Sequence, residues 1–498
     1  MEKDKSLRSC DMTEGIERTA HRALFFSLGL KRDDFSKPMI AVANCWNEIV
    51  PGCVHLRQVA DEVKKGIIEA GGLPFEFNTI AVCDGMAQGH VGMKYSLPSR
   101  DIITASIEIM VEAHRFDGVV LVTSCDKVTP GMIMAAARMD VPAIIVPAGA
   151  MKAGLHKGVK LTLSMMREYA GKYQAGQISK EELYEVEEVA CPSLGSCSMI
   201  GTANTMACLS ETLGMSLPLS ATTLANSSAK LRDAKEAGLR IMDLVREDIR
   251  PSQIMTREAF INAMKVSMAM GASTNSILHI PAMAHELGID IELEEFDRLS
   301  AVTPYVTKIN PSGPETINEF HDAGGVPALL KSLKGMLNTG CMTVSGKTIG
   351  EIADQARWSD QEMIRPASNP HSNEGGLKIL KGNLAPKGAV VKRSAVKRDM
   401  WQHTGPARVF DSMEDAIEAV KANNVLPGSV IVIRYEGPVG GPGMREMQMI
   451  TAMIVGSGLA DNTSLVTDGR FSGSTRGPCV GHVSPEAALG AVSYTHLR

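Results

Sequence analysis

Three strand-length apolar runs near the start of the chain each end on residues that can do chemistry. Met39–Ala43 runs into Asn44, Cys45 and a loop carrying Cys53. Thr79–Cys83 runs into Asp84 and Gly85, and Val119–Thr123 into Ser124, Cys125, Asp126 and Lys127. Helical patterns separate them. Leu56–Ala70 repeats Leu56, Val59, Ala60, Val63 and Ile67 on one face and meets Gly71 as a stop. Arg100–His114 reads as the next helix, and Pro130–Met139 follows with proline in its first turn. Such alternation builds an α/β layered domain. Ligands of these sheets bind beyond the carboxyl ends of the strands. If the strands are parallel and adjacent, the three loops form one cluster of thiols and carboxylates.

At 498 residues the chain exceeds what one hydrophobic core usually serves, so two domains are expected. Helical patterns dominate from Thr205 to about Leu337, and Ser179 with Glu182 forms a capping box for a helix leading to Cys191–Cys197. The break is placed at Arg365–Gly376, RPASNPHSNEGG, a linker rich in turn residues. Residues 1–365 form the N-terminal α/β domain. Residues 377–498 carry short β-rich runs, including Ala389–Lys392, Val430–Arg434 and Leu465–Thr467, and read as a smaller β-barrel domain.

A net charge of −5 and 4% aromatic residues give no footprint for nucleic acid or an anionic membrane. The apolar runs are too short to span a bilayer, and MEKDKSLRSC lacks the apolar core of a secretory signal. A cytoplasmic protein is expected, its ten cysteines reduced and free for metals or catalysis.

Thiolate suits iron–sulfur or zinc, whereas carboxylate suits Mg²⁺, so Cys125 and Asp126 side by side suit metals of different softness. The ammonium of Lys127 cannot ligate a cation; it must pair with a carboxylate or become a carbamate. Cys191 and Cys197 lie among small residues in ACPSLGSCSMIGTANTM, where backbone amides can approach cluster sulfides. The glycine-rich RYEGPVGGPGMRE, Arg434–Glu446, lacks the P-loop pattern; it is either a β-turn loop or a backbone that wraps a ligand and delivers Glu446. In LVTDGRFSGSTRG, Leu465–Gly477, Arg470 and Arg476 suit a substrate carboxylate, and Ser472 becomes a base only beside a cation. His55, His90 and His482 carry no assigned role.

Taken together, the segments from Pro38 to Ala488 resemble the dihydroxy-acid dehydratase family, which includes phosphogluconate and other sugar-acid dehydratases. The resemblance is carried by Pro74–Arg100, CDKVTPG (Cys125–Gly131), GSCSMIGTANTM (Gly195–Met206), VIRYEGPVGGPGMREM (Val432–Met447) and TDGRFSG (Thr467–Gly473). It implies a hydro-lyase that converts a 2,3-dihydroxy acid to a 2-keto acid, with 2,3-dihydroxy-3-methylbutanoate and its 3-methylpentanoate homologue favoured over an aldonate or phosphogluconate. By the same resemblance Cys125 and Cys197 bind an iron–sulfur cluster, with two iron atoms favoured and four as the alternative. Asp84, Asp126, Glu446 and a carbamylated Lys127 hold Mg²⁺, and Ser472 is the base. The implied fold is an α/β domain plus a barrel like the swivelling domain of aconitases, in a homodimer or larger assembly. A non-catalytic iron–sulfur sensor is the alternative of another class, against which the carboxylates speak. Two departures stand out. Where two-iron members carry a third cysteine, this chain has Gly52, leaving Cys53, Cys45 and Cys191 as candidates. The chain also ends in AVSYTHLR where the family barrel continues, which reads as a truncated or artefactual end.

Overall fold

The computed structural model describes residues 7–490. Its first sheet contains β1 (Met39–Asn44), β2 (Leu73–Asn78), β3 (Gly118–Thr123) and β4 (Ala143–Pro147), all parallel in the order β2-β1-β3-β4. β1, β3 and β4 are buried along their whole length, the signature of a parallel sheet covered by helices. Leu56–Glu69 packs against Ser228–Glu247, and Ser99–Ala113 against Val128–Met139.

The strand expected at Thr79–Cys83 is instead β2, six residues earlier in the chain at its start. β1 stops at Asn44, opposite Asn78, so after the Thr79 amide bonds the Asn44 carbonyl at 3.0 Å the chain loses its strand partner and runs on irregularly to Asp84. As an edge strand β2 tolerates Pro74.

A hairpin of β5 (Gly154–His156) and β6 (Val159–Leu161) precedes the helices Leu163–Gln174 and Lys180–Ala190. Ser179 caps the second, its Oγ accepting from the Glu182 amide at 3.1 Å. The Glu182 carboxylate approaches Lys157 at 3.4 Å. Helices then dominate from Thr202–Thr212 to Gly325–Ser332. The Arg365–Gly376 stretch has neither helix nor strand, yet it is tied down. Arg365, Gly375 and Gly376 donate backbone hydrogen bonds to Val306, Ser300 and Met268, each at 2.8 Å.

The second sheet holds β7 (Lys378–Leu380), β8 (Gly388–Val391), β9 (Ala407–Phe410), β10 (Val430–Ile433), β11 (Ser464–Thr467) and β12 (Cys479–Ser484), in the order β7-β8-β12-β11-β10-β9. It is less purely β than expected. β9, β10, β11 and β12 pair in parallel, and parallel neighbours need crossovers. The helices Met413–Lys421 and Gln448–Gly456 supply two of them. Among the described residues β7 and β9 are the sheet's edges, and no pairing between them closes a barrel. Residues 491–498, AVSYTHLR, lie outside the described residues.

One contact couples this sheet's helix layer to the N-terminal layers. Leu163–Gln174 packs against Gln448–Gly456, and a Cβ on Gly171 would lie 2.5 Å from the Cα of Gly456. Only glycine lets the two backbones approach this far.

Candidate active site

Three carboxylates from three parts of the chain meet beside the first sheet. Asp84 begins the short helix Asp84–Ala87, Asp126 follows β3, and Glu446 arrives from the glycine-rich loop, next to Arg470 in a parallel bridge. One oxygen from each lies within 4.8 Å of the others. Lys127 is fully buried among them: its Nζ donates to Asp84 Oδ2 at 2.7 Å and lies 3.8 Å from Glu446 Oε1 and 4.0 Å from Asp126 Oδ2. Arg470 is equally buried and pairs with Glu446 Oε1 at 2.6 Å.

Neutral groups fix the orientation of these acids. Ser96 Oγ donates to Asp84 Oδ1 at 2.7 Å, while Gln88 Nε2 and Asn275 Nδ2 donate to the two Glu446 oxygens, each at 2.8 Å. Burial pushes the Asp126 carboxyl up to about 7, and the Asp84 charge adds to the effect. Burial acts in the same direction on Glu446, but Arg470 and Lys127 outweigh it and hold that carboxyl below its usual range. Two cations therefore face three acids, and Asp126 is the acid that holds its proton most readily. Hard oxygen donors this close suit a small divalent cation, which prefers carboxylates at about 2.1 Å in octahedral geometry. The buried acidic triad can hold such an ion.

A cavity of about 600 Å³ borders Asp84 and Asp126 and four sulfurs, those of Cys83, Cys125, Cys191 and Cys197. Cys125 has φ +69°, a left-handed conformation that costs a non-glycine residue about 1–2 kcal/mol. Asn204 holds the Cys197 loop, donating to the carbonyls of Cys197 and of Met199 (2.8 Å) and accepting from Ser196 Oγ at 2.7 Å. The Cys125 thiol meets those of Cys53 and Cys83; the Cys53 contact and then burial raise it far above an ordinary thiol. Cys45 and Cys53 are fully buried with their sulfurs 3.6 Å apart, and neither borders the cavity. A smaller adjoining recess is lined by Asp84, Asp126, Arg167, Cys197 and Ser472. The Ser472 hydroxyl lies 3.0 Å from Ser474 Oγ.

Residues 37–352 match the family model described as dihydroxy-acid/6-phosphogluconate dehydratase N-terminal, and residues 362–493 match its C-terminal counterpart. The chain belongs to this dehydratase family. Among curated relatives it is 52% identical over 486 residues to a dihydroxy-acid dehydratase of Caldanaerobacter subterraneus subsp. tengcongensis, covering 97% of this chain and 87% of the relative. A dihydroxy-acid dehydratase of Methanobrevibacter smithii is 51% identical over 482 residues, covering 97% and 88%.

Against this family background, all seven residues singled out from sequence converge: Asp84, Asp126, Lys127 and Glu446 in one buried charge cluster, with Cys125, Cys197 and Ser472 bordering the adjoining cavities. Both arginines face carboxylates of the chain itself. Arg470, read as a substrate-carboxylate ligand, pairs with Glu446 through Nη1 while its buried Nη2 has no partner among the described residues, and Arg476 lies 3.5 Å from Glu168. The glycine-rich loop cannot cradle an anion, because carboxylates already occupy its amides. Asp468 accepts from Tyr435 and Glu436, and Glu486 from Val439 and Gly440. His55 and His90 bond backbone carbonyls, and burial pushes His482 down to about 3.

Sequence reading missed Cys83 and Arg167. Cys83 had a signal, since Cys83–Asp84 repeats the order of Cys125–Asp126. Arg167 had none: it sits in an unremarkable helix, and only folding brings it to the recess beside Ser472, where it donates to the Gly85 carbonyl at 3.1 Å.

Proposed function

We propose that this chain removes water from 2,3-dihydroxy-3-methylbutanoate, and from its 3-methylpentanoate homologue, to give the 2-keto acid of branched-chain amino-acid biosynthesis. The observation that carries the proposal is the shared wall between the carboxylate cluster and the sulfur-lined cavity: Asp84 and Asp126 belong to both. Curated relatives named dihydroxy-acid dehydratase, near 50% identical over almost the whole chain, support it. So does the wall of the cavity, where Met86, Met151, Leu163 and Leu194 suit a small branched carbon skeleton better than the hydroxyls of an aldonate.

In this proposal Asp84, Asp126 and Glu446 hold Mg²⁺, with Lys127 joining them as a carbamate, and Cys125 and Cys197 hold an iron–sulfur cluster. The donor chemistry fits both groups, hard oxygen on one side and soft sulfur on the other. Carbamylation also fits the charge balance. Converting the Lys127 ammonium to an anion while adding a divalent cation leaves the net charge of the cluster unchanged. When bound, the two groups supply Lewis acidity toward the substrate's oxygens. Arg167 pairs with the substrate carboxylate through its free guanidinium face. Ser472 takes the C2 proton from the recess that it shares with Asp84 and Asp126. The loop between β11 and β12 bears both Arg470 and Ser472, so the contact that anchors Glu446 also places the base.

A homo-oligomer is part of the proposal. Ile102 and Ile109, two turns apart on one helix, are 58% and 65% exposed and offer an apolar stripe to a second copy. A cytoplasmic location goes with the reduced thiols that the cluster needs.

The test is anaerobic purification followed by a 2-keto-acid assay with dihydroxymethylbutanoate and several aldonates, with and without Mg²⁺. Turnover of dihydroxymethylbutanoate is expected, and turnover of aldonates alone overturns the substrate assignment. Asp84→Asn is expected to abolish activity while keeping the visible cluster absorbance. Loss of that absorbance would refute the separation into an oxygen site and a sulfur site.

A further inference from the structure

We infer that Cys83 is the third cysteine of the iron–sulfur site, beside Cys125 and Cys197. The assignment rests on the cofactor reading proposed above and selects a residue outside the three candidates that the sequence offered.

Those candidates fail on placement. Position 52 sits beside the Cys125 sulfur, since a Cβ built there lies 2.4 Å from Ser124 Oγ and 3.4 Å from Cys125 Sγ, but the residue is glycine. Its neighbour Cys53 also meets the Cys125 thiol, but it is fully buried against Cys45, and neither Cys53 nor Cys45 borders the cavity. Cys191 does border the cavity, but it is exposed, and its thiol interacts with Cys83 rather than with Cys125.

Cys83 meets each requirement. It lines the cavity together with Cys125 and Cys197. Its thiol interacts with that of Cys125 and lies within electrostatic reach of Cys197 and Cys191. The guanidinium of Arg167 lies within electrostatic reach of both Cys83 and Cys197.

The local sequence gives a second line of support. Cys83–Asp84 and Cys125–Asp126 are two copies of one dipeptide, each lying past the carboxyl end of a strand in the same parallel sheet. In both, the cysteine borders the sulfur-lined cavity and the aspartate belongs to the acid cluster. The sulfur and oxygen sites are therefore joined by two adjacent segments instead of one. The left-handed φ of Cys125 is the kind of strain that persists where surrounding structure imposes it at a functional position. Each ligating thiol gives up its proton on binding, so loading releases protons.

The test compares wild type with Cys83→Ser, Cys53→Ser and Cys191→Ser after anaerobic reconstitution with iron and sulfide. The readouts are iron and acid-labile sulfide content, visible absorption and the electron paramagnetic resonance of the reduced protein. Cys83→Ser is expected to lose most of its iron and the visible bands, while the other two variants keep wild-type content and spectra. Alkylation of the wild-type protein, mapped by mass spectrometry, covers the case in which Cys83→Ser misfolds. Cys83 should be protected when loaded and labelled after chelation, while Cys191 is labelled in both states. Wild-type iron and spectra in Cys83→Ser, or labelling of Cys83 in the loaded protein, overturns the assignment alone. A wild-type chain that assembles no cluster overturns the cofactor reading and the assignment together.

Discussion

Replacing Gly171 with alanine sets two effects of known sign against each other. Gly171 is buried in the interior of the Leu163–Gln174 helix with ordinary helical backbone, so alanine by itself should stabilise that helix by about 1 kcal/mol. Its Cβ, however, would lie 2.5 Å from Gly456 Cα, where unstrained carbons sit about 3.5–4.0 Å apart. The two helices must separate by about 1 Å or more to admit it, and forced separation of packed elements costs about 1–3 kcal/mol. The net expectation is destabilisation of up to about 2 kcal/mol. Function should suffer more than stability. Arg167 lies one turn earlier on the first helix, and the second begins two residues after Glu446. A shift of about 1 Å between them can cost up to about 100-fold in rate. Thermal midpoints measured alongside steady-state kinetics of the loaded enzyme decide the matter. A higher midpoint with unchanged kcat would show that the helices do not meet at these glycines and refute the coupling of their contact to the site.

Ser472→Ala should lower kcat by about 10²–10⁴-fold, the usual range for a lost general base, with the fold intact because among the described residues the hydroxyl bonds only Ser474. Unchanged kcat removes Ser472 as the base. Arg167→Gln should raise KM more than it lowers kcat, and a pure kcat loss would count against its pairing with the substrate carboxylate. In metal-free protein Asp126 keeps its proton below about 7, so Mg²⁺ must displace it there, and apparent affinity should fall up to about tenfold per pH unit below that value. Titration calorimetry in buffers of different ionisation enthalpy measures the released proton, and Asp126→Asn should lower the number released. Burial pushes Lys392 down to about 7 while its Nζ donates to the Gly473 carbonyl at 2.7 Å. A depressed lysine penalises the folded state below that value, so its contribution to stability should grow as pH rises from about 7 toward 10.5. Lys392→Met should flatten that rise, and an identical pH profile would refute it.

Much of the N-terminal architecture is legible because its determinants are local. The apolar runs at Met39 and Val119 and the single-faced pattern over Leu56–Ile67 specify strand and helix within a few residues. Where a pattern depends on a partner, sequence misleads. TIAVC over Thr79–Cys83 has strand composition, but β1 ends at Asn44, and LPFEFN before it takes the pairing in spite of Pro74. The smaller sheet is misjudged for a related reason. Short β runs do not say whether their neighbours are parallel, and parallel pairing brings the helices Met413–Lys421 and Gln448–Gly456 into what reads as a β unit.

The site divides along the same line. By itself the sequence determines which residues carry chemistry, because Cys125, Asp126 and Lys127 are contiguous and their side-chain types set what each can bind or donate. Only the tertiary structure decides what each one faces. It brings Glu446 across more than three hundred residues to Lys127, commits Arg470 to that carboxylate, and places Arg167 beside Ser472. It also turns Cys83 toward Cys125 and hides Cys53 behind it. Charge balance and burial are properties of the assembled neighbourhood. A lone arginine or thiol in sequence bears no mark of the partner that will claim it.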